Sequence, residues 1–283
     1  MEKNTRFKQG FTLVETAVVM VIGGLLMAML FNTMNIYMKN QSLKATKDKI
    51  ALIDEQIQLY LAQNGVLPCV APRTDAPDTA GFGVSFGSPP CQGIPAGLGV
   101  NGVMSINGVH IGAVPSRTLN LPDGFLTDSW GNRIVYVVTH AQTQNFVEGA
   151  GRVRVVDSGG NSVVSPAGTA DYALFSSGQN GRGAYTFQGT MKMACSSAIG
   201  AGANDRENCD GNSTFMSTSL NREGGAINYD DIFTYRKIKG AVINLPAEVV
   251  LPFDLPACPA GWSEPSDPDV APTVGGLINC EKD

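Results

Sequence analysis

Between Lys8 and Lys39 the chain carries a single charged residue, Glu15, inside a run that reads GFTLVETAVVMVIGGLLMAMLF from Gly10 to Phe31. A helix needs about 20 apolar residues to cross the hydrocarbon core of a bilayer, and this run supplies them. An ionised acid in such a segment costs about 2.5–3.5 kcal/mol on insertion scales, so Glu15 demands a partner or a function. Three plain readings leave something unexplained. A cleaved secretory signal wants small residues in a cleavage site after the apolar run, and Phe31 to Asn40 offers none. A simple signal anchor accounts for the hydropathy but not for Gly10 or Glu15. The buried helix of a soluble domain does not need Lys3, Arg6 and Lys8 clustered ahead of it. Basic residues before the helix and none inside it predict a cytoplasmic leader, a single inner-membrane pass and an extracytoplasmic C-terminal bulk.

The order of residues adds more. A short basic leader, then Gly10, Phe11, Thr12, Leu13, Val14 and Glu15, then an apolar helix, resembles the prepilin processing site shared by type IV pilins and type II secretion pseudopilins. The resemblance implies cleavage of the Gly10–Phe11 bond by a membrane prepilin peptidase, with N-methylation of Phe11. It implies a role for Glu15 in assembly, where its carboxylate meets the amine of Phe11 on a neighbouring subunit. A buried charge without its partner is strongly destabilising, so such a pair sets the register between subunits. The family often breaks its helix with a proline near the position of Asn32; here Gly23, Gly24 and Asn32 are the candidates for local melting.

The helical pattern continues past the membrane. Leu43, Ile50 and Ile57 recur at seven-residue intervals with Ile53 and Tyr60 between them, which predicts an amphipathic half docked on a folded head. Lys44, Lys47, Lys49, Asp54 and Glu55 are assigned to solvent. Asn64-Gly65 with Pro68 beyond predicts the stop. The expected organisation is a leader at 1–10, a helix at 11–64 with 11–35 transmembrane, a β head at 65–240 and a proline-rich tail at 241–283. At about 1.5 Å per residue that helix extends on the order of 80 Å. The fold class is α+β, a long helix packed on an antiparallel sheet, as in the pilins.

Strands are predicted at 133–140, 152–157, 162–164, 171–177 and 232–238, with a hairpin turn at DSGGN (157–161). Residues 65–121 read mostly as loop. Three further pieces resemble the major pseudopilins. Asp128-Ser129-Trp130-Gly131-Asn132 is similar to their D-P-W-G-N segment, although a turn around a buried tryptophan explains it equally well. Ser177-Gly178-Gln179-Asn180-Gly181 and Asp230-Asp231-Ile232 occupy the places of their G-A-D-G and D-I segments, with an insertion from Thr190 to Asn228 between. In that family these segments frame a calcium site. Gln179-Asn180 removes one carboxylate, so the expectation here is no metal and no cofactor.

Six cysteines in an exported domain predict disulfides. Six allow fifteen connectivities; local pairing of Cys69 with Cys91, Cys195 with Cys209 and Cys258 with Cys280 is preferred, because each pair brackets a loop rich in glycine or proline. No C-x-x-C spacing suggests zinc. Gly83-Val84-Ser85-Phe86-Gly87 matches a hydrolase nucleophile elbow, but Ser88-Pro89-Pro90 forbids the helix that elbow requires. With only His110 and His140 in the chain, acid–base catalysis has little material, so no enzyme is expected. A net charge of −5 argues against nucleic acid. The tail from 241, dense in proline, is expected to be poor in regular structure and either to wrap its own head or to contact the filament exterior. Two functional readings stand. One is a filament subunit, a minor pilin or pseudopilin, whose partners are other pilin subunits, the peptidase, an inner-membrane assembly platform and the membrane. The other is a membrane-anchored extracytoplasmic binding protein that does not polymerise.

Overall fold

The computed structural model describes residues 13–94, 97–98, 100–197, 203–221 and 228–239, together with the backbone of four short strands beyond residue 242. Gly10, Phe11 and Cys258 lie outside the described residues. The chain divides between Lys44 and Ala45 into two units.

In the first unit, helix α1 (Leu13–Asn64) begins with Glu15 in its first turn. Its large apolar side chains, among them Leu13, Val18, Leu25, Phe31 and Ile36, are exposed. The helix runs unbroken through Gly23 and Gly24, where an added Cβ would meet nothing within 4 Å. The apolar window in this helix is long enough to cross a membrane.

The second unit opens on the rest of α1, where Ile50, Ile53, Ile57 and Leu61 fall on one stripe and are buried. Each contributes about 1.5–3 kcal/mol of apolar burial. The helix stops at Asn64 because Gly65 takes φ +68° and its N–H returns to the Leu61 carbonyl at 2.7 Å, while the Asn64 amide donates to the Tyr60 carbonyl. The sheet that follows is built from β1 (Gly97–Leu98), β2 (Met104–Ile106), β3 (Val109–Ala113), β4 (Val135–Thr139), β6 (Tyr172–Ser176) and β8 (Ile232–Arg236), in the order β1-β2-β3-β4-β6-β8 with antiparallel neighbours. Two more strands, β5 (Arg154–Val156) and β7 (Thr214–Met216), pair in parallel.

Strand alternation gives the sheet two faces. Val109, Ile111, Val135, Val137, Ala173 and Phe175 point to one face and pack with Val153, Val155 and Phe215 from the β5–β7 layer. The opposite face, with Tyr172 and Arg236, meets α1 through Asp54. The head is therefore helix, sheet and a small second β layer.

Several expectations are corrected. Asp54 was assigned to solvent, yet it is 3% exposed. It stands one turn after Ile50 and one before Ile57–Gln58, so helical geometry places it on the buried stripe whatever its charge. Its oxygens accept from the Tyr172 hydroxyl at 2.8 Å, from Arg236 Nε at 2.9 Å and Nη2 at 2.5 Å, and from the Gln58 amide. Leu61, absent from the predicted stripe, completes it. Residues 65–121 hold three strands rather than loop alone. Ser162–Val164 forms only a bridge, Ser162 to Val156. The turn at 157–161 closes with the Asp157 N–H donating to the Asn161 carbonyl at 2.8 Å, and the Asp157 carboxylate accepts from the N–H groups of Gly159 and Asn161. Trp130 is only half-buried. Asp128 is the buried centre of that turn, accepting from the N–H groups of Trp130 and Asn132, the Asn132 amide and the Ser176 hydroxyl. The tail, expected to lack regular structure, contains β9 (Ile243–Pro246), β10 (Trp262–Ser263), β11 (Thr273–Val274) and β12 (Leu277–Lys282), all paired on β12.

Disulfides join Cys69 to Cys91 and Cys195 to Cys209. Arg133, 1% exposed, gathers the loops around the sheet: its guanidinium donates to the carbonyls of Pro72, Asp75, Thr186 and Phe187 and faces the Phe82 ring. Carbonyls rather than a carboxylate surround this cation, and burial lowers its pKa to about 10.

Candidate functional site

Of the three residues singled out for processing and assembly, Glu15 is described. It lies in the first turn of α1, exposed, where the positive end of the helix dipole favours an acid. Around it Leu13, Val14 and Val18 are exposed as well, so the acid stands within an apolar surface.

The head contains a second polar concentration. The loop after β6 and the segment before β8 come together, as the sequence islands suggested: the Asn180 N–H donates to Asp230 Oδ2 at 2.9 Å. Asp205 joins them from the short helix α2 (Ala203–Glu207), inside the insertion that the resemblance does not cover. Carboxylate oxygens of Asp205, Asp230 and Asp231, all buried, lie within 4.8 Å of one another. Burial, and after it the charges of Asp205 and Asp230, holds the Asp231 carboxyl well above the ordinary carboxylate range. Asparagine amides line this cluster. Asn180 and Asn228 donate to Asp205 Oδ2 at 2.7 and 2.8 Å, and Asn208 donates to Asp231 Oδ2 at 2.7 Å. The orientations of two amides are fixed, because Asn180 Oδ1 accepts from the Arg182 N–H and Asn208 Oδ1 from the Met216 N–H.

Asp205, Asp230 and Asp231 would supply the anionic oxygens to a hard cation, fewer than the roughly six to eight ligands calcium takes, and amide N–H groups already occupy some of them. Asn180 does not fit as a carbonyl ligand, since it turns its NH2 group to the acids. Calcium-dependent melting that vanishes in Asp205→Asn is the measurement that would reveal such an ion. No local pattern in the sequence could have found Asp205, because only the folded insertion brings it to Asp230.

The hydrolase-like serine and the two histidines are not brought together. Ser85 Oγ donates to the Cys69 carbonyl at 3.0 Å. His110 and His140 pack against each other with ring centroids 4.4 Å apart.

No curated protein and no solved structure matches the chain. Residues 5–31 match the prokaryotic N-terminal methylation motif. The match covers the basic leader, Gly10, Phe11, Glu15 and the apolar run as far as Phe31. What identifies the chain is thus its N-terminal segment: it carries the prepilin-type signature of the type IV pilins and pseudopilins.

Proposed function

We propose that the protein is a minor pilin or pseudopilin, a structural subunit assembled through its N-terminal helix into a filament of a type IV pilus or type II secretion system. The observation that carries this reading is the methylation motif at residues 5–31 leading into a helix with exposed apolar side chains and one acid near its start. On this reading residues 1–10 are the cytoplasmic leader and residues 11–35 anchor the subunit in the inner membrane. The head at 65–240 and the tail at 241–283 then lie outside. The prepilin peptidase cuts Gly10–Phe11, Phe11 is methylated, and Glu15 answers the amine of Phe11 on the next subunit. An inner-membrane platform drives assembly. The head is stapled by its disulfides, as suits an oxidising compartment.

Intact-mass measurement on protein from its native host tests the proposal. The expected species begins at Phe11 and carries one methyl group. Retention of Met1 at full abundance in the membrane would overturn the filament reading.

A further inference from the structure

A cavity of about 100 Å³ opens between the sheet and the insertion, beside the Cys195–Cys209 disulfide. Its apolar wall includes Met104 and Phe215, and its polar lining includes Arg73, Glu207 and Asp210. Arg73 is 8% exposed. Its Nε donates to the Gly102 carbonyl and its guanidinium lies over the Tyr185 ring, 5.0 Å from the centroid. Among the described residues its two terminal nitrogens meet no acceptor. Arg133 makes the contrast plain, since that buried guanidinium donates to four carbonyls. With its Nε held by the Gly102 carbonyl, the guanidinium keeps its two terminal nitrogens for a ligand, and arginine's strongest hydrogen bonds are bidentate ones to a carboxylate.

The other side of the lining is of opposite sign. Glu207 and Asp210 are both raised from the usual carboxylate range, chiefly by burial; for Glu207 the Asp210 charge adds to this, and the Arg154 charge and an Asn212 hydrogen bond offset part of it. Asn212 donates to Asp210 through its backbone and its amide, but no ion pair joins either acid to Arg73 among the described residues. A simple anion would answer Arg73 and be repelled by the two acids; a simple cation would do the reverse. A molecule carrying both charges answers both sides. The volume is below the roughly 150 Å³ of an apolar cavity that takes up benzene, which favours a ligand of a few heavy atoms over an aromatic one.

We propose that this cavity binds a small zwitterion of the α-amino acid class, with its carboxylate on Arg73, its ammonium toward Glu207 and Asp210, and a short side chain against Met104 and Phe215. The site is independent of the filament reading, since none of its residues lies in α1.

Titration calorimetry on the full chain in detergent tests it with alanine as the probe. Alanine is expected to bind, and acetate, ethylammonium and phenylalanine to bind at least tenfold more weakly. Arg73→Gln and Glu207→Gln should each weaken alanine by tenfold or more. Arg73 is buried and its variant can fail to fold, so Met191→Trp supplies a second arm: Met191 lines the cavity and is 52% exposed, and a bulky ring there should block entry in a folded protein. Binding of acetate as tight as that of alanine, or alanine binding unchanged in Glu207→Gln or Met191→Trp, would overturn the proposal. So would the absence of alanine binding at millimolar concentration.

Discussion

Glu15 and Asp54 are both acids on apolar stretches of α1, and the surroundings of the two differ in every respect. Asp54 is buried, and its counter-ion Arg236 is in the same chain, on the last strand of the sheet, with the Tyr172 hydroxyl as a second donor. Glu15 lies among exposed apolar side chains, and on the proposed reading its counter-ion is the amine of another subunit. On that reading an acid among apolar residues sets register in both places: within the fold at Asp54, between copies at Glu15. The difference is whether the partner arrives during folding or during assembly.

The largest loss of stability is expected at Asp54. Removing Arg236 leaves a carboxylate buried with the Tyr172 hydroxyl and the Gln58 amide as its remaining side-chain donors, and truncating one member of a buried pair costs about 3–5 kcal/mol. Arg236 is half-exposed, so water recovers part of that loss and the lower end of the range is expected. Arg236→Ala should therefore lower the unfolding free energy of the detergent-solubilised chain by about 3 kcal/mol, read from the urea midpoint. The triple variant Asp54→Leu, Tyr172→Phe, Arg236→Met, which leaves no buried Tyr172 hydroxyl without an acceptor, should recover most of it. A loss below about 1 kcal/mol would put this ion pair in the class of weak surface bridges.

A buried ionisable group with no counter-ion sharpens the contrast. His110 is 3% exposed, its Nδ1 has no hydrogen-bond partner, and burial followed by the His140 charge lowers its pKa from 6.5 to about 4. The fold therefore favours the neutral ring. Between pH 6.5 and 4 the unfolded chain binds the proton and the folded chain does not, so stability falls as pH drops through that window and levels off below it. The expected loss from this group approaches about 3 kcal/mol. In His110→Phe that part of the pH dependence should disappear; an unchanged stability profile would place the titration elsewhere.

How much of this was readable in the sequence follows from the same physics. The helix and its stop at Asn64-Gly65 were visible because apolar spacing and a left-handed glycine are local signals. β4, β5, β6 and β8 were visible because runs such as VYVVT and YALFS are dense in β-branched and aromatic residues. β2 and β3 were not, since MSINGVHIGA is short and interrupted by glycine. Gly112 is there because a Cβ would stand 2.6 Å from the Ala71 carbonyl oxygen, a close approach that nothing in the local sequence announces. Asp54 was misread because its charge was given more weight than its helical position. Asp205 and the cavity beside Glu207 depend on where an insertion folds back, which no periodicity encodes. The N-terminal signature was the most readable part of all, because a linear motif meant for recognition has to be local.

The smallest expected change in stability belongs to Glu15. Glu15→Gln keeps the shape of the side chain and removes its charge. Glu15 is exposed in the first helical turn, where an acid interacting with the helix dipole contributes about 0.3–1 kcal/mol. The urea midpoint of the head should therefore stay within error of wild type, against a loss of about 3 kcal/mol for Arg236→Ala. Membrane insertion should be unimpaired or eased, because the desolvation cost of the carboxylate is gone. Assembly is where the loss should appear: incorporation into sheared filaments, measured against the membrane pool by immunoblot, should fall markedly. A variant that folds, inserts and assembles like wild type would remove Glu15 from the register between subunits. It would leave Asp54 as the only acid of the pair whose partner determines where the helix sits. A variant that loses head stability as well would mean that the two acids do the same work, contrary to the distinction drawn from their surroundings.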